Sequence, residues 1–214
     1  MKNNTKQAAS DSGFFTRVRQ RIEANHHPVS LGWMTPACVF LLLYERDGKP
    51  YIPAILKADN PGYVWANQVA LPGGKIDQAD PSPLHAAFRE LEEELGITRP
   101  HVETLGSIGH FQTLKHTEIE VFAGVWDRAE PIRYDRSEIS RMLDIPLDHL
   151  MDTHLTRNLA GRDPGWDELL YPVDDLVIWG VTAKIIHYFM ELILDGQVRS
   201  FSSSSGTPGS PSRR

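Results

Sequence analysis

The segment Arg89-Glu90-Leu91-Glu92-Glu93-Glu94-Leu95-Gly96-Ile97 carries the strongest chemical signal in the chain. On a helix turning about 100° per residue, Glu90, Glu93 and Glu94 share one small patch, while Leu84, Ala87, Phe88, Leu91 and Leu95 form the apolar face beside it. Like charges at these spacings destabilise a bare helix by a few tenths of a kcal/mol per pair. The patch therefore calls for a cation, and an all-oxygen site of this kind suits a hard divalent ion such as Mg²⁺ or Mn²⁺. A Glu-rich helix alone is usually a solvated face. Here the arginine immediately before the first Glu, the closing Gly-Ile and the glycine turn upstream favour a site.

The elements that must position this patch can be read around it. Asp80-Pro81-Ser82-Pro83 has N-cap residues with proline in the first turn, which predicts a helix over 82–95 stopping at Gly96. Upstream, Val69-Ala70-Leu71 runs as a strand end into Pro72-Gly73-Gly74. Residues 37–44 and 51–57 are apolar runs joined through Asp47-Gly48, strong hairpin chemistry that predicts two antiparallel strands. Residues 102–111 and 119–126 also read as strands. In the second, Thr117, Ile119 and Val121 alternate with Glu118 and Glu120. A helical piece is expected over 137–143 and a short strand at Tyr171-Pro172-Val173. The last and longest helix is expected over 179–194, burying Val181, Ile185, Phe189, Leu192, Ile193 and Trp179. Phe14, Phe15, Val18 and Ile22 predict a short N-terminal helix covering one edge of the core. Strands and helices mix without a regular repeat, so the expected fold is an α/β/α sandwich (α+β) on a mixed β-sheet. One domain is expected over 13–196, between a polar, disordered 1–12 and a Ser/Pro/Gly-rich, disordered 197–214.

Gly74, Asp80 and the run from Arg89 to Ile97 resemble the Nudix box: G, five residues, E, seven residues, then R-E-U-x-E-E-x-G-U with U aliphatic. Two departures are visible: Asp80 replaces the first Glu, and eight residues rather than seven separate it from Arg89. The resemblance implies the Nudix fold and a metal-dependent pyrophosphohydrolase using Mg²⁺ or Mn²⁺ and water. It implies Glu90 and Glu94 as metal ligands, Glu93 contributing to the metal or its waters, and a main-chain carbonyl of Gly73 or Gly74 completing the shell. Arg89 would hold a Glu of the cluster, or pair at the surface with Glu93. Glu93, Glu120 and Glu138 are candidates for the general base, although Glu120 reads as an exposed strand residue and Glu138 as a helix cap.

The longer box spacing, the segment from Glu138-Ile139 through Leu150, and Ile178-Trp179-Gly180-Val181-Thr182-Ala183 are similar to the coenzyme A pyrophosphatase branch. That branch carries an upstream L-L-T-x-R-(S/A)-x3-R-x3-G-x3-F-P-G-G motif associated with coenzyme A. At its two arginine positions this chain has Ala58 and Tyr63. Arginine is favoured for bidentate phosphate contacts, so Lys57, Lys75 or Lys115 would have to substitute. Tyr63 and Trp65, in the loop before the box, are candidates to stack on a base, and Lys75 to meet substrate. His116 is a candidate phosphate contact.

Composition narrows the remaining classes. The 41% hydrophobic content allows a sizeable core, and a net charge of −6 opposes binding to nucleic acid. The single cysteine, Cys38, lies in an apolar strand pattern and reads as a buried, inert thiol. No P-loop, zinc-protease helix or nucleophile elbow is present. The expected setting is cytoplasmic without a membrane segment, with a small nucleotide substrate, and the family resemblance suggests a homodimer. Three readings compete: hydrolysis of coenzyme A or acyl-CoA; hydrolysis of a nucleoside diphosphate sugar, dinucleotide or nucleoside triphosphate; and a Nudix-fold sensor that binds without turnover.

Overall fold

The computed structural model describes residues 13–61 and 65–194. The termini expected to be disordered, and Tyr63, lie outside the described residues. The elements in chain order are α1 (Gly13–Ala24), β1 (Thr35–Arg46), β2 (Lys49–Lys57), β3 (Val69–Ala70), β4 (Gly73–Lys75), α2 (Pro83–Leu95), a 3₁₀ turn (Arg99–His101), β5 (Val102–Gln112), β6 (Thr117–Trp126), β7 (Ile139–Pro146), α3 (Leu147–Thr156), β8 (Tyr171–Val173), β9 (Leu176–Ile178) and α4 (Gly180–Ile193).

A seven-stranded mixed sheet forms the middle layer. β1 runs parallel to β6 and antiparallel to β2 and β4. The apolar run of β1 is buried on both faces because the sheet is covered on both. Leu41 and Leu43 point into a core shared with α1, α3 and α4, while Cys38, Phe40, Leu42 and Tyr44 point into a second core under α2. This is the α/β/α arrangement, with the patch-bearing helix alone on its face.

One irregularity of the sheet organises the site. β1 and β2 pair only beside their hairpin, at Tyr44↔Tyr51 to Arg46↔Lys49, where Asp47 and Gly48 both take positive φ. Further along, the strands splay apart and residues 69–75 fill the gap. β3 pairs with β2 at Ile55↔Ala70 and Leu56↔Val69, and β4 pairs with β1 at Val39↔Gly73 to Ala37↔Lys75. Between them the Phe40 N–H donates to the Pro72 carbonyl at 2.9 Å. The glycine turn is thus a wedge held by backbone bonds on both sides, which satisfies groups that the splay would leave unpaired.

Two local expectations are corrected. Residues 139–146 form β7, not a helix, paired in register with β2 from Tyr51↔Pro146 to Ala54↔Leu143 and beyond. Trp179 is not core: it caps the start of α4 and is 50% exposed.

Candidate active site

Helix α2 begins where its local chemistry dictates. The Ser82 hydroxyl accepts from the His85 N–H, Pro83 occupies the first turn, and Gly96 closes the helix at φ 66° with its N–H on the Glu92 carbonyl. Asp80 is freed from capping and does something else. Arg89 Nε and Nη2 donate to Asp80 Oδ1 and Oδ2 at 3.2 and 3.0 Å. Arg89 Nη1 donates to Glu90 Oε1 at 2.9 Å and Glu93 Oε2 at 3.0 Å, and Nη2 also donates to the Lys75 carbonyl at 3.1 Å. Arg89 therefore contacts Glu90 and also pairs with Glu93 at the surface. The hydrogen bonds from Arg89, then from the Asp77 N–H, pull the Asp80 carboxyl below its ordinary pKa.

The three carboxylates part ways. Glu93 turns outward and its side chain is 60% exposed. Glu90 and Glu94 turn in toward the wedge. Glu94 is buried, accepts from the Gly73 N–H at 2.8 Å and is ion-paired with Lys57 at the end of β2. Glu90 lies directly over Gly74, where a Cβ would stand 2.4 Å from Oε2. Burial raises the Glu90 carboxyl above its ordinary pKa against the opposing Arg89, with Glu94 and Glu93 adding to the rise.

These facts test whether a divalent cation suits the site. Two inward carboxylates, one of them carrying unfavourable negative charge, surround a glycine that leaves room above the backbone; such an oxygen donor set fits a hard ion. Glu90 and Glu94 are the residues that would hold it. In their present positions Arg89 and Lys57 tie these carboxylates back, and Glu90, Glu93 and Glu94 do not all three bring an oxygen within 4.8 Å of the others.

The remaining candidates sort by place. Gly73 meets the cluster through its N–H, at φ 144°, and both glycines lie against β1. Lys75 is exposed at the end of β4. Trp65 is half-buried with Lys115 Nζ 5.4 Å from its ring centre, so these two candidates are brought together. His116 is an exposed turn residue with φ 58°, its carbonyl accepting from the Thr35 N–H. Glu138 is exposed. Glu120 is half-buried rather than exposed, and Cys38 pairs with Gly74 on one side and with Glu120 on the other, which puts Glu120 on the α2 face of the sheet. Burial, followed by the charge of Glu90, pushes the Cys38 thiol up to about 12, so it stays a neutral packing group. Lys57 is the residue whose place sequence reasoning underestimated. Its only signal was a cation ending an otherwise apolar strand.

A sequence model of the NUDIX domain matches residues 34–163. The chain is similar to the human mitochondrial coenzyme A diphosphatase NUDT8, 27% identical over 190 residues, covering 86% of this chain and 75% of that protein. It is similar to the uncharacterized Nudix hydrolase NudL of Escherichia coli (strain K12 / DH10B), 31% identical over 125 residues, covering 56% of this chain and 64% of that one. A solved MutT/nudix family protein from Enterococcus faecalis superposes with a TM-score of 0.49 at 15% identity, over 87% of this chain and 70% of that one. The domain match takes in β1, the wedge and all of α2, the elements that gather the box residues, and the chain belongs to the Nudix family of hydrolases acting on phosphoanhydride bonds.

Proposed function

We propose that this enzyme uses Mg²⁺ or Mn²⁺ to cleave the diphosphate linkage of coenzyme A or its acyl derivatives, giving phosphopantetheine and 3′,5′-ADP. The observation that carries the substrate is the similarity to a coenzyme A diphosphatase along 86% of the chain. Glu90 and Glu94 are the proposed ligands, with Glu93 at the rim and the wedge backbone at Gly73 and Gly74 beside them. A divalent ion bound there supplies a water of lowered pKa and neutralises charge on the phosphoryl oxygens. Arg89 positions Glu90 and Glu93 for this work, and Glu120 is the strand carboxylate on the same face. Lys75 and the Trp65–Lys115 pair are the groups we assign to substrate, together with Tyr63.

A second reading keeps the chemistry and changes the substrate to another nucleoside diphosphate derivative. It is favoured by Ala58, which stands where an arginine is expected, is 7% exposed, and is tied by its N–H to the Glu138 carbonyl. Incubation of the purified protein with Mg²⁺ or Mn²⁺ and a panel of coenzyme A, ADP-ribose, NADH, diadenosine polyphosphates and nucleoside triphosphates separates the two. Release of phosphopantetheine with 3′,5′-ADP supports the first; cleavage of another member in its place rejects it for the second. Glu94→Gln is expected to lower turnover by about 10³-fold, roughly 4 kcal/mol, in protein shown by its thermal melt to be folded at the assay temperature. Turnover that survives this substitution removes Glu94 from the ligand set.

A further inference from the structure

On the opposite face of the sheet from the box, two histidines and a carboxylate meet between α3 and α4. His154 lies in the last turn of α3, while His187 and Glu191 are one turn apart on α4. His154 is 0% exposed and His187 is 2% exposed, and ligand atoms of the three side chains lie within 4.8 Å of one another, the one such group among the described residues. The box reading gives them no role. We propose that His154, His187 and Glu191 form a second metal site, selective for a borderline transition-metal ion, with zinc the first candidate.

The surrounding hydrogen bonds supply each ligand with an outer partner. His154 Nδ1 is 2.8 Å from the Tyr171 hydroxyl and its Nε2 is 2.7 Å from Glu191 Oε1. Without metal, Nε2–H donates to the carboxylate and the Tyr171 hydroxyl to Nδ1; a metal that replaces the Nε2 proton leaves Nδ1–H to donate to the phenol oxygen. The carboxylate itself is aimed by the Gly161 N–H, which donates to both of its oxygens at 3.0 Å. His187 donates from Nε2 to the Arg162 carbonyl at 3.3 Å. That leaves His187 Nδ1 with an unshared pair, and this atom is buried with no hydrogen-bond partner. A buried orphan acceptor is costly and calls for an explanation. A cation supplies one, and all three ligands already have the outer partners that orient metal-binding histidines and carboxylates.

The donor set selects the ion. Two imidazole nitrogens and one carboxylate oxygen suit zinc and disfavour Mg²⁺, whereas the oxygen-only box has the opposite preference. Zinc bonds of about 2.0–2.1 Å place tetrahedral ligand atoms about 3.4 Å apart. The His154–Glu191 contact must therefore open by about 0.7 Å, a movement within reach of side-chain torsions. A water completes the four-coordinate shell. Binding would clamp the end of α3 to α4 and to the 157–170 segment through Gly161 and Arg162.

The full-length protein, stripped with chelator and returned to excess Mg²⁺, is titrated with Zn²⁺ by calorimetry while its Tm is followed. One zinc per chain is expected, not displaced by Mg²⁺, with a Tm rise of roughly 5–10 °C at about a hundredfold excess over Kd. Co²⁺ in its place should show the intense visible bands of four-coordinate nitrogen-ligated cobalt. His187→Gln abolishes binding and the Tm rise; Glu191→Gln, on a partly exposed side chain, does the same if the first variant does not fold. Glu94→Gln, at the box, keeps the zinc. The proposal is overturned if the wild type takes up no zinc in excess Mg²⁺, if its Tm does not move, or if zinc survives Glu191→Gln and is lost with Glu94→Gln.

Discussion

Arg89 grips Asp80 across nine positions of sequence through two parallel contacts, Nε to Oδ1 and Nη2 to Oδ2, while its remaining nitrogen reaches Glu90 and Glu93. One planar fork thereby fixes the start of the box to its carboxylates. The shorter Asp, in place of Glu, meets the arginine with an extra residue between them.

Arg89→Lys is expected to lower kcat by about 10–100-fold at saturating metal, because an ammonium cannot keep the fork on Asp80 and the bonds to both glutamates together. Asp80→Asn should act in the same direction with a smaller fall. Steady-state kinetics across a metal titration checks this; an unchanged kcat for Arg89→Lys would show that the fork is merely structural.

Lys57 and Glu94 form a pair whose side chains are 13% and 7% exposed. Removing one partner of such a pair leaves an uncompensated buried charge, at about 3–5 kcal/mol. Lys57→Met should therefore destabilise the metal-free protein by about 3 kcal/mol, and Mg²⁺ should restore much of the loss by replacing the missing cation. Urea unfolding with and without Mg²⁺ measures both quantities. An equal loss in the two conditions would contradict a metal at Glu94.

The two wedge glycines should fail differently. A Cβ on Gly73 would stand 2.2 Å from the Cys38 carbonyl oxygen and 2.6 Å from Val39 Cα, at φ 144°, so Gly73→Ala must move strand backbone and is expected to cost about 3 kcal/mol or more. On Gly74 the three atoms nearest an added methyl all belong to the tip of Glu90, a side chain that can swing away. Gly74→Ala should fold with nearly wild-type Tm and lose activity. Thermal melts set beside turnover distinguish the two, and a Gly74→Ala enzyme with full activity would show that Glu90 need not stand over the wedge.

Glu118, buried on β6, accepts from the Leu31 N–H at 2.8 Å, from Gln112 Nε2 at 3.2 Å and from the Ser30 hydroxyl, and so holds the 30–31 segment to the sheet. Burial works to raise its pKa, but these hydrogen bonds and nearby His110 prevail and lower it below the ordinary 4.5. A carboxyl depressed in the folded state contributes stability that is fully present above its unfolded pKa and lost as pH falls through the folded value. Amide exchange at Leu31 should rise as pH drops below about 4.5, after correction for the intrinsic rate. Glu118→Gln should remove that dependence, and a corrected rate flat down to pH 3 in the wild type would refute the clamp.

Much of the molecule was legible locally. Asp47-Gly48 specified the β1–β2 hairpin because both residues tolerate positive φ, and Ser82, Pro83 and Gly96 bounded α2 because each satisfies or omits a terminal backbone group. The spacing from Gly74 to Ile97 identified the box and the family. Residues 137–143 were misread because Ile139, Met142 and Leu143 also fit a helical period; the strand state of 139–143 comes from pairing with β2, remote in sequence. Trp179 was misplaced because a large aromatic beside an apolar helix looks like core, whereas it stands at the N-cap position with half of its surface exposed.

Local spacing thus determined which residues carry the chemistry and which helix presents them, since side-chain direction on a helix follows from its 3.6-residue period. Only the tertiary structure decided which of the three carboxylates face inward, that Lys57 answers Glu94, and that His154 meets His187 and Glu191. Those relationships depend on where β1 and β2 splay and on how α3 packs against α4, and such long-range pairings leave no periodic trace in the chain.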